Sequence, residues 1–467
     1  MTRLSVPAGP VGPAGPPRSA AIDPRTVAAT VVGNFIELFD WFAFGLFVPI
    51  FAGQFFPSRD PVSSLLGALA VFGTGMLLRP LGGVLLGRFA DRHGRRPAML
   101  LSIAMMGGGS LVVGAAPTHA QVGLLAPLVL LLGRTAQGLS GGGEWPAAVT
   151  YLMELAPPDR RCRYGSLFGA SAAAGALVAA LLGAGLSASL SHAALTGWGW
   201  RLPFLAGGLL GVGLLVVRSR MRETPVFQRQ VRTDRTRGSL REVMRAHRRS
   251  VGLVVAFAAG TTMLSGTWTT VVPAIGQRLA PADRMFLVIT LVTAAATVLQ
   301  VPLGMLADRV GVYPFLACYA LGAVVVGPIA YLNISGGFGS LLFSYGTGVA
   351  LITVLTAVMP KVLASAYPPQ VRTVGIGLPH GTTTAVFGGF SPWLATFLGG
   401  HGLSGLYIGV VAVTSLVSSA AAVAIARRHL TGTAGRSAAD GVPGSPADGV
   451  TDAPAEGSPD AAMPEAA

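Results

Sequence analysis

The sequence predicts an all-α membrane protein of twelve transmembrane helices, arranged as two six-helix repeats, and three observations carry that reading. Of the 467 residues, 52% are hydrophobic and only 11% are charged, and the mean hydropathy is +0.62. A soluble domain carries about a quarter charged residues. Apolar stretches also recur at about 20 residues, the length that crosses hydrocarbon. Backbone in that medium must satisfy its own hydrogen bonds, so spans of this length are helices, whereas barrel strands would show about ten-residue alternating segments. Finally, the charged stretch GRFADRHGRR at Gly87–Arg96, set between two apolar runs, reappears as GMLADRVG at Gly304–Gly311, again between apolar runs. Each half therefore carries a charged hinge between its second and third spans.

Taken in order, residues 1–26 are rich in Pro and Gly, with Arg3, Arg18 and Arg25. A secretory signal places an apolar core close behind its first basic residues. Here the first apolar run starts near Val31, so a flexible cytoplasmic tail is expected. Spans follow at roughly 30–56, 63–87, 97–117, 122–147, 165–190 and 201–217, which places a first bundle within 27–217. A basic linker over 218–250 leads to spans at 251–275, 285–306, 312–333, 338–360, 373–399 and 403–426, a second bundle within 251–428. Residues 429–467 are rich in Ala, Gly, Pro and Asp and lack aromatic residues. They have little to bury and are expected to be disordered.

Charge sets the orientation. The first hinge holds Arg88, Arg92, Arg95 and Arg96, the linker after span 4 holds Arg160, Arg161 and Arg163, and residues 218–249 hold eleven arginines. Linkers on the opposite side are almost bare, with Arg59, Arg201, Arg278 and Arg284. The positive-inside rule then places both termini and the central linker in the cytoplasm of a multi-pass protein of the cell inner membrane. A net charge of +14 distributed this way implies no nucleic-acid partner. Within the linker, Leu240, Val243 and Met244 either lie against lipid or protein while arginines meet headgroups, or belong to a solvated tether. Cys162 and Cys318 form no disulfide framework and have no metal-ligand company.

Several polar residues fall where charge is costly. In span 1, Glu37 and Asp40 are three apart on one helix face, with Asn34 a turn earlier. Carboxylates inside a membrane mark a functional site by default, and the alternative is that one simply pairs with an arginine to lock helices. Arg79 in span 2 lies too deep for easy snorkelling, so it is either a structural ion pair with Glu37 or Asp40 or an anion-binding group. Span 4 carries Arg134 and Gln137 on one face and Glu144 two turns on, at roughly 15 Å from Arg134 along the helix, so each needs a partner elsewhere. Glu154, at the end of that span, reads as a clamp for hinge arginines. In the hinge, Asp91 stands among Arg92, Arg95 and Arg96, while Gly87 and Gly94 permit close packing and a tight turn. Asp308 and Arg309 repeat the pair. The hinge lacks the Gly-Lys-Ser/Thr ending of a phosphate loop. In the second half, Trp268 reads as a cavity wall or an interfacial belt residue. His380, after Pro379, could meet a substrate, titrate, or bond a neighbouring Thr.

These residues also carry a family resemblance. GNFIELFDWFAFG at Gly33–Gly45 resembles the metabolite/proton symporter branch of the major facilitator superfamily, with Leu38 and Phe39 departing from its usual Trp and Tyr. LLRPLGG at Leu77–Gly83, QGLSGGGEW at Gln137–Trp145, WRLPF at Trp200–Phe204, ETPVF at Glu223–Phe227 and YPPQVRTVGIG at Tyr367–Gly377 fit as well. The first half is most similar to the α-ketoglutarate and dicarboxylate proton symporters, while Pro379–His380 departs from the branch on an expected cavity wall. The resemblance implies the major facilitator fold and proton-coupled symport of a small organic anion, a dicarboxylate or related metabolite, by alternating access. It implies a monomer that acts on an organic anion and a proton in a lipid bilayer, with no cofactor and no enzymatic chemistry. Glu37 and Asp40 would couple the proton. Asn34, Arg79, Arg134, Gln137, Glu144, Trp268 and His380 would bind substrate. Gly87, Asp91, Arg92, Gly94, Arg95, Arg96, Asp308 and Arg309 would gate. The alternative is a proton-coupled exporter of a secondary metabolite or drug. Span 5 lacks the Pro-containing glycine motif of drug/proton exchangers, which favours symport.

Overall fold

A computed structural model describes residues 23–230 and 238–430. The expected tails lie almost wholly outside the described residues, as do linker residues 231–237. Twelve long helices follow in order: α1 Pro24–Phe55, α2 Pro61–His93, α3 Arg95–Ala115, α4 Leu125–Leu155, α5 Arg161–Ser189, α6 Leu202–Ser219, α7 Arg248–Leu279, α8 Ala282–Val310, α9 Val312–Leu332, α10 Phe338–Ser365, α11 Arg372–Gly400 and α12 Ser404–Leu430. All but α4 and α11 are apolar and long enough to cross a membrane by composition alone. The exceptions have visible causes: α4 includes Arg134, Glu144 and Glu154, and α11 is diluted by Gly, Pro, Thr and His380.

The helices overrun the apolar stretches. The hinge is therefore hardly a loop: α2 continues to His93, Gly94 alone makes the turn, and α3 starts at Arg95. Gly94 has φ of 117°, a conformation costly for any residue with a Cβ. Gly311 does the same work between α8 and α9, with φ of 87°. The sequence repeat is thus a repeat in backbone geometry.

Within the first half, Phe44, Phe51, Phe55, Trp200 and Phe204 form an aromatic core between α1 and the start of α6. In the second half, α7 and α9 each contain one π-helical turn, at Thr267–Val271 and Gly322–Val326. Trp268 sits in the first of these and is fully buried, and its Nε1–H donates to the Ser344 carbonyl at 2.9 Å. Its indole occupies the space beside Gly348, where an added Cβ would lie 1.7 Å from the ring.

The two halves meet where α2 crosses α11 and α5 crosses α8, both lined with small residues. A Cβ on Gly83 would stand 2.5 Å from the Gly377 carbonyl oxygen, and one on Gly304 would stand 2.3 Å from Ser166 Oγ. Backbones can approach this closely only where side chains are absent. In the linker, Leu240–Ala246 is a short helix whose Val243 is buried in the second-half core, and the Gly238 amide donates to the Gln370 carbonyl at 3.0 Å. Of the two readings of this stretch, docking on protein is what the structure shows for Val243.

Candidate functional site

Between the halves lies a cavity of about 320 Å³, walled by α1, α2, α4 and α5 on one side and α7, α10 and α11 on the other. Glu37 reaches it from α1 and Arg79 from α2, joined by a 2.8 Å ion pair. Arg79 is also 5.0 Å from the Trp41 ring centroid, a cation–π contact. The other Glu37 oxygen, Oε2, is buried without a hydrogen-bond partner. Asn34 lines the same wall, and its amide donates to Ser171 Oγ and the Phe168 carbonyl of α5. Across the cavity, His380 lies stacked on Trp145 from the opposite half, with centroids 4.6 Å apart and planes 18° off parallel.

Asp40 lies off this cavity, in a closed network inside the first half. It accepts from Ser110 Oγ, from Gln137 Nε2 at 2.6 Å and from Arg134 Nη1 at 3.4 Å. Arg134 also donates to Gln137 Oε1 at 2.6 Å and is packed over the ring of Phe44 at 4.2 Å. Both Asp40 oxygens are therefore engaged. Glu144 is placed elsewhere again: its Oε1 accepts from Arg218 Nη2 at 2.6 Å, and neither residue lines the cavity. Trp268 likewise lies away from the cavity. Of the residues expected to bind substrate, the structure brings Asn34, Arg79 and His380 together with Glu37. Arg134 and Gln137 lie off this cavity but line a small adjoining pocket with Glu37, Asp40 and Arg79, whereas Glu144 and Trp268 line neither.

At the hinge end each half reaches across to the other in the same way. Asp91 accepts from the amides of Thr373 and Val374, at 3.2 and 3.0 Å, in the first turn of α11. Asp308 accepts from the amides of Cys162 and Arg163, both at 2.8 Å, in the first turn of α5. Each carboxylate thus satisfies orphan donors at a helix N-terminus and faces its positive dipole end. Arg95, fully buried, lies 3.7 Å from Asp91, bonds Glu154 at 3.0 Å and donates to the Pro369 carbonyl at 2.6 Å. Arg372 of α11 also bonds Glu154, at 3.4 Å. Arg96 is tied through its amide to Glu223 at 3.0 Å and through its guanidinium to the Ser219 carbonyl. Lys361 lies 4.0 Å from Asp308. Arg92 and Arg309 are exposed at the ends of α2 and α8. Gly87 lets α2 approach Val374, where an added Cβ would be 2.9 Å from its Cα.

This latch yields a measurable expectation. Asn at position 91 keeps the size but loses the charge and one acceptor, and a charge-assisted bond is worth about 1.5–3 kcal/mol, or roughly ten-fold or more in the closed-to-open ratio. Cys162 is buried at the interface and Cys318 is exposed. On a Cys318→Ser background, Asp91→Asn is expected to raise the alkylation rate of Cys162 by about ten-fold and to slow transport more than Asp308→Asn does. An unchanged alkylation rate would show that Asp91 does not hold the halves together.

Sequence reasoning passed over Arg218, Trp145 as a cavity wall, and Arg372. In the sequence Arg218 stands with the linker charges, because the apolar run stops just before it.

Residues 30–379 match the Major Facilitator Superfamily. The α-ketoglutarate permease of Escherichia coli (strain K12) is 33% identical over 397 residues, covering 83% of this chain and 90% of that protein. The citrate-proton symporter of Salmonella typhi is 34% identical over 385 residues, covering 78% and 85% respectively. Among solved structures, the proton:xylose symporter XylE bound to 6-bromo-6-deoxy-D-glucose matches with a TM-score of 0.66 at 14% identity, covering 87% of this chain and 95% of that one. The chain belongs to the Major Facilitator Superfamily. It is a multi-pass inner-membrane transporter and not an enzyme.

Proposed function

We propose that the chain carries a small organic anion together with a proton, by alternating access about the cavity between its halves. The observation that carries this reading is the Glu37–Arg79 pair on the cavity wall, with one Glu37 oxygen unpartnered. While Glu37 is ionised it occupies Arg79. A proton on Glu37 releases the guanidinium, which then takes the substrate carboxylate. Proton and anion therefore load together, and each favours the other. Asp40, with both oxygens engaged, holds Arg134 and Gln137 in place. The names of the two relatives, an α-ketoglutarate permease and a citrate-proton symporter, support a carboxylate as the anion and a proton as the coupling ion. In proteoliposomes given an inward proton gradient, labelled organic acid should accumulate, and collapsing the gradient should stop it. Substrate movement driven only against the proton flow would favour the exporter instead.

The latched hinge end faces the cytoplasm in this reading, as the arginine distribution requires. On a background lacking both native cysteines, a cysteine at Arg241 should react in intact cells only with membrane-permeant reagent. One at Leu124, which is 79% exposed at the opposite end, should also react with impermeant reagent. The reverse pattern would overturn the orientation.

A further inference from the structure

The cavity holds one guanidinium. Among its described lining residues the ionisable side chains are Glu37, Arg79 and His380. Behind the wall, Asp40 is paired with Arg134 and Glu144 with Arg218, so neither pair adds net charge. Once Glu37 takes its proton, the cavity carries a single positive charge on Arg79. Uncompensated charge is costly away from water. One carboxylate leaves the loaded site neutral, whereas a second leaves it with a net negative charge while His380 is neutral.

Shape points the same way. A volume of about 320 Å³ is at the small end of ligand pockets, which run from about 300 to 1,000 Å³. Trp145 and His380 stack face to face between the halves, and Leu38, Phe168, Leu355 and Met359 extend that wall with apolar surface. Thr262 and Ser265 on α7 and Thr384 on α11 add hydroxyl-bearing residues to the lining. A di- or tricarboxylate would meet mostly hydrocarbon and aromatic surface after its first carboxylate is bound.

We propose that the carried anion is a monocarboxylate with a flat ring body, of the benzoate and hydroxybenzoate type. Its carboxylate sits on Arg79, its ring continues the Trp145–His380 stack, and ring hydroxyls meet the Thr and Ser side chains of the second half. The proposal rests on the symport reading for its proton, but the charge count and the cavity walls stand without it. The dicarboxylate implied by the family resemblance is replaced by an acid with one charge, and transport of one proton with one monoanion is electroneutral.

The test uses the full-length protein in liposomes with labelled 3,4-dihydroxybenzoate, and leak into protein-free liposomes is subtracted. Saturable uptake is expected, driven by an inward proton gradient and unchanged when membrane potential is clamped at either sign. Unlabelled 4-hydroxybenzoate should compete at least about ten-fold better than α-ketoglutarate or citrate, as expected when one extra buried charge is left unpaired. Trp145→Ala should raise the half-saturation concentration about two- to ten-fold, the worth of one aromatic contact, with little change in maximal rate. His380→Leu supplies the same readout where Trp145→Ala fails to fold. Absence of saturable uptake of any ring-bearing acid would overturn the proposal. So would better competition by α-ketoglutarate or citrate, and gradient-driven uptake of either acid in place of the aromatic one would do so while leaving symport intact. Uptake of dihydroxybenzoate that ignores the pH gradient would keep the substrate class and remove the proton coupling.

Discussion

Glu37→Gln is expected to abolish accumulation driven by a pH gradient while leaving exchange of substrate across the membrane largely intact. A one-proton symporter of a monoanion can concentrate its substrate about ten-fold per unit of pH gradient, since one unit corresponds to about 1.36 kcal/mol. With Gln at position 37, Arg79 keeps a hydrogen-bonding neighbour of the same size and remains available to the substrate. No proton is then taken up with it, so the concentration ratio should fall to about one. Asp40→Asn should behave differently. It removes the charge facing Arg134, a residue 2% exposed, and sets an amide nitrogen or a lone acceptor where Ser110, Gln137 and Arg134 all donate. Breaking a buried pair costs about 3–5 kcal/mol, so both accumulation and exchange should be lost. Accumulation beside equilibrium exchange in the same vesicles separates these outcomes. If Glu37→Gln accumulated substrate at the parent rate, the proton would have to travel by another group, with His380 on the cavity wall next in line.

Much of this site could be read from the chain before its structure, for a physical reason. A carboxylate or guanidinium inside a long apolar run has no cheap place to go, so Glu37, Asp40, Arg79 and Arg134 stand out by position alone. The pairing of Arg79 with a span 1 carboxylate was among the expectations, and the repeated hinge announced two related halves. What linear pattern does not carry is which face of each helix turns toward which neighbour. Trp268 was read as a cavity wall or belt residue, yet the π-helical turn and the absence of a side chain at Gly348 let its ring pack inside the second half. Trp145 gave no signal beyond following Glu144, because its partner, His380, is on the other half.

The hinge carboxylates show a subtler limit. Asp91 and the amides it meets are separated by most of the chain. A trace of the contact does exist locally. The N-cap position of α11 is Val371 and that of α5 is Arg160, and neither supplies a side-chain cap. Ser, Thr, Asp or Asn is strongly preferred there. Helices that begin without their own cap, in a chain with an Asp near two other helix ends, invite the cap from outside.

Arg218→Met is expected to be the most destabilising single change in the first half. Arg218 is fully buried, and its guanidinium donates to the Ala29, Thr30 and Met99 carbonyls at 2.9, 3.1 and 3.0 Å as well as to Glu144. One side chain at the end of α6 thereby joins α1, α3 and α4. The change leaves the Glu144 carboxylate without the cation it pairs with, and removing one partner of a buried pair costs about 3–5 kcal/mol. Lys could not replace it, because a single ammonium lacks the planar fork that reaches several acceptors together. Gly33→Ala should partly reproduce the effect, since a Cβ there would lie 2.0 Å from Arg218 Nη2 and 2.3 Å from Glu144 Oε1. The double variant Glu144→Gln/Arg218→Met should recover much of the loss, because no charge is then stranded. Thermal unfolding of the purified variants in detergent provides the comparison, with transport measured on those that survive reconstitution. A parent-like melting temperature for Arg218→Met would remove the structural role. If Glu144→Gln then changed substrate affinity without changing melting, Glu144 would belong with the substrate after all.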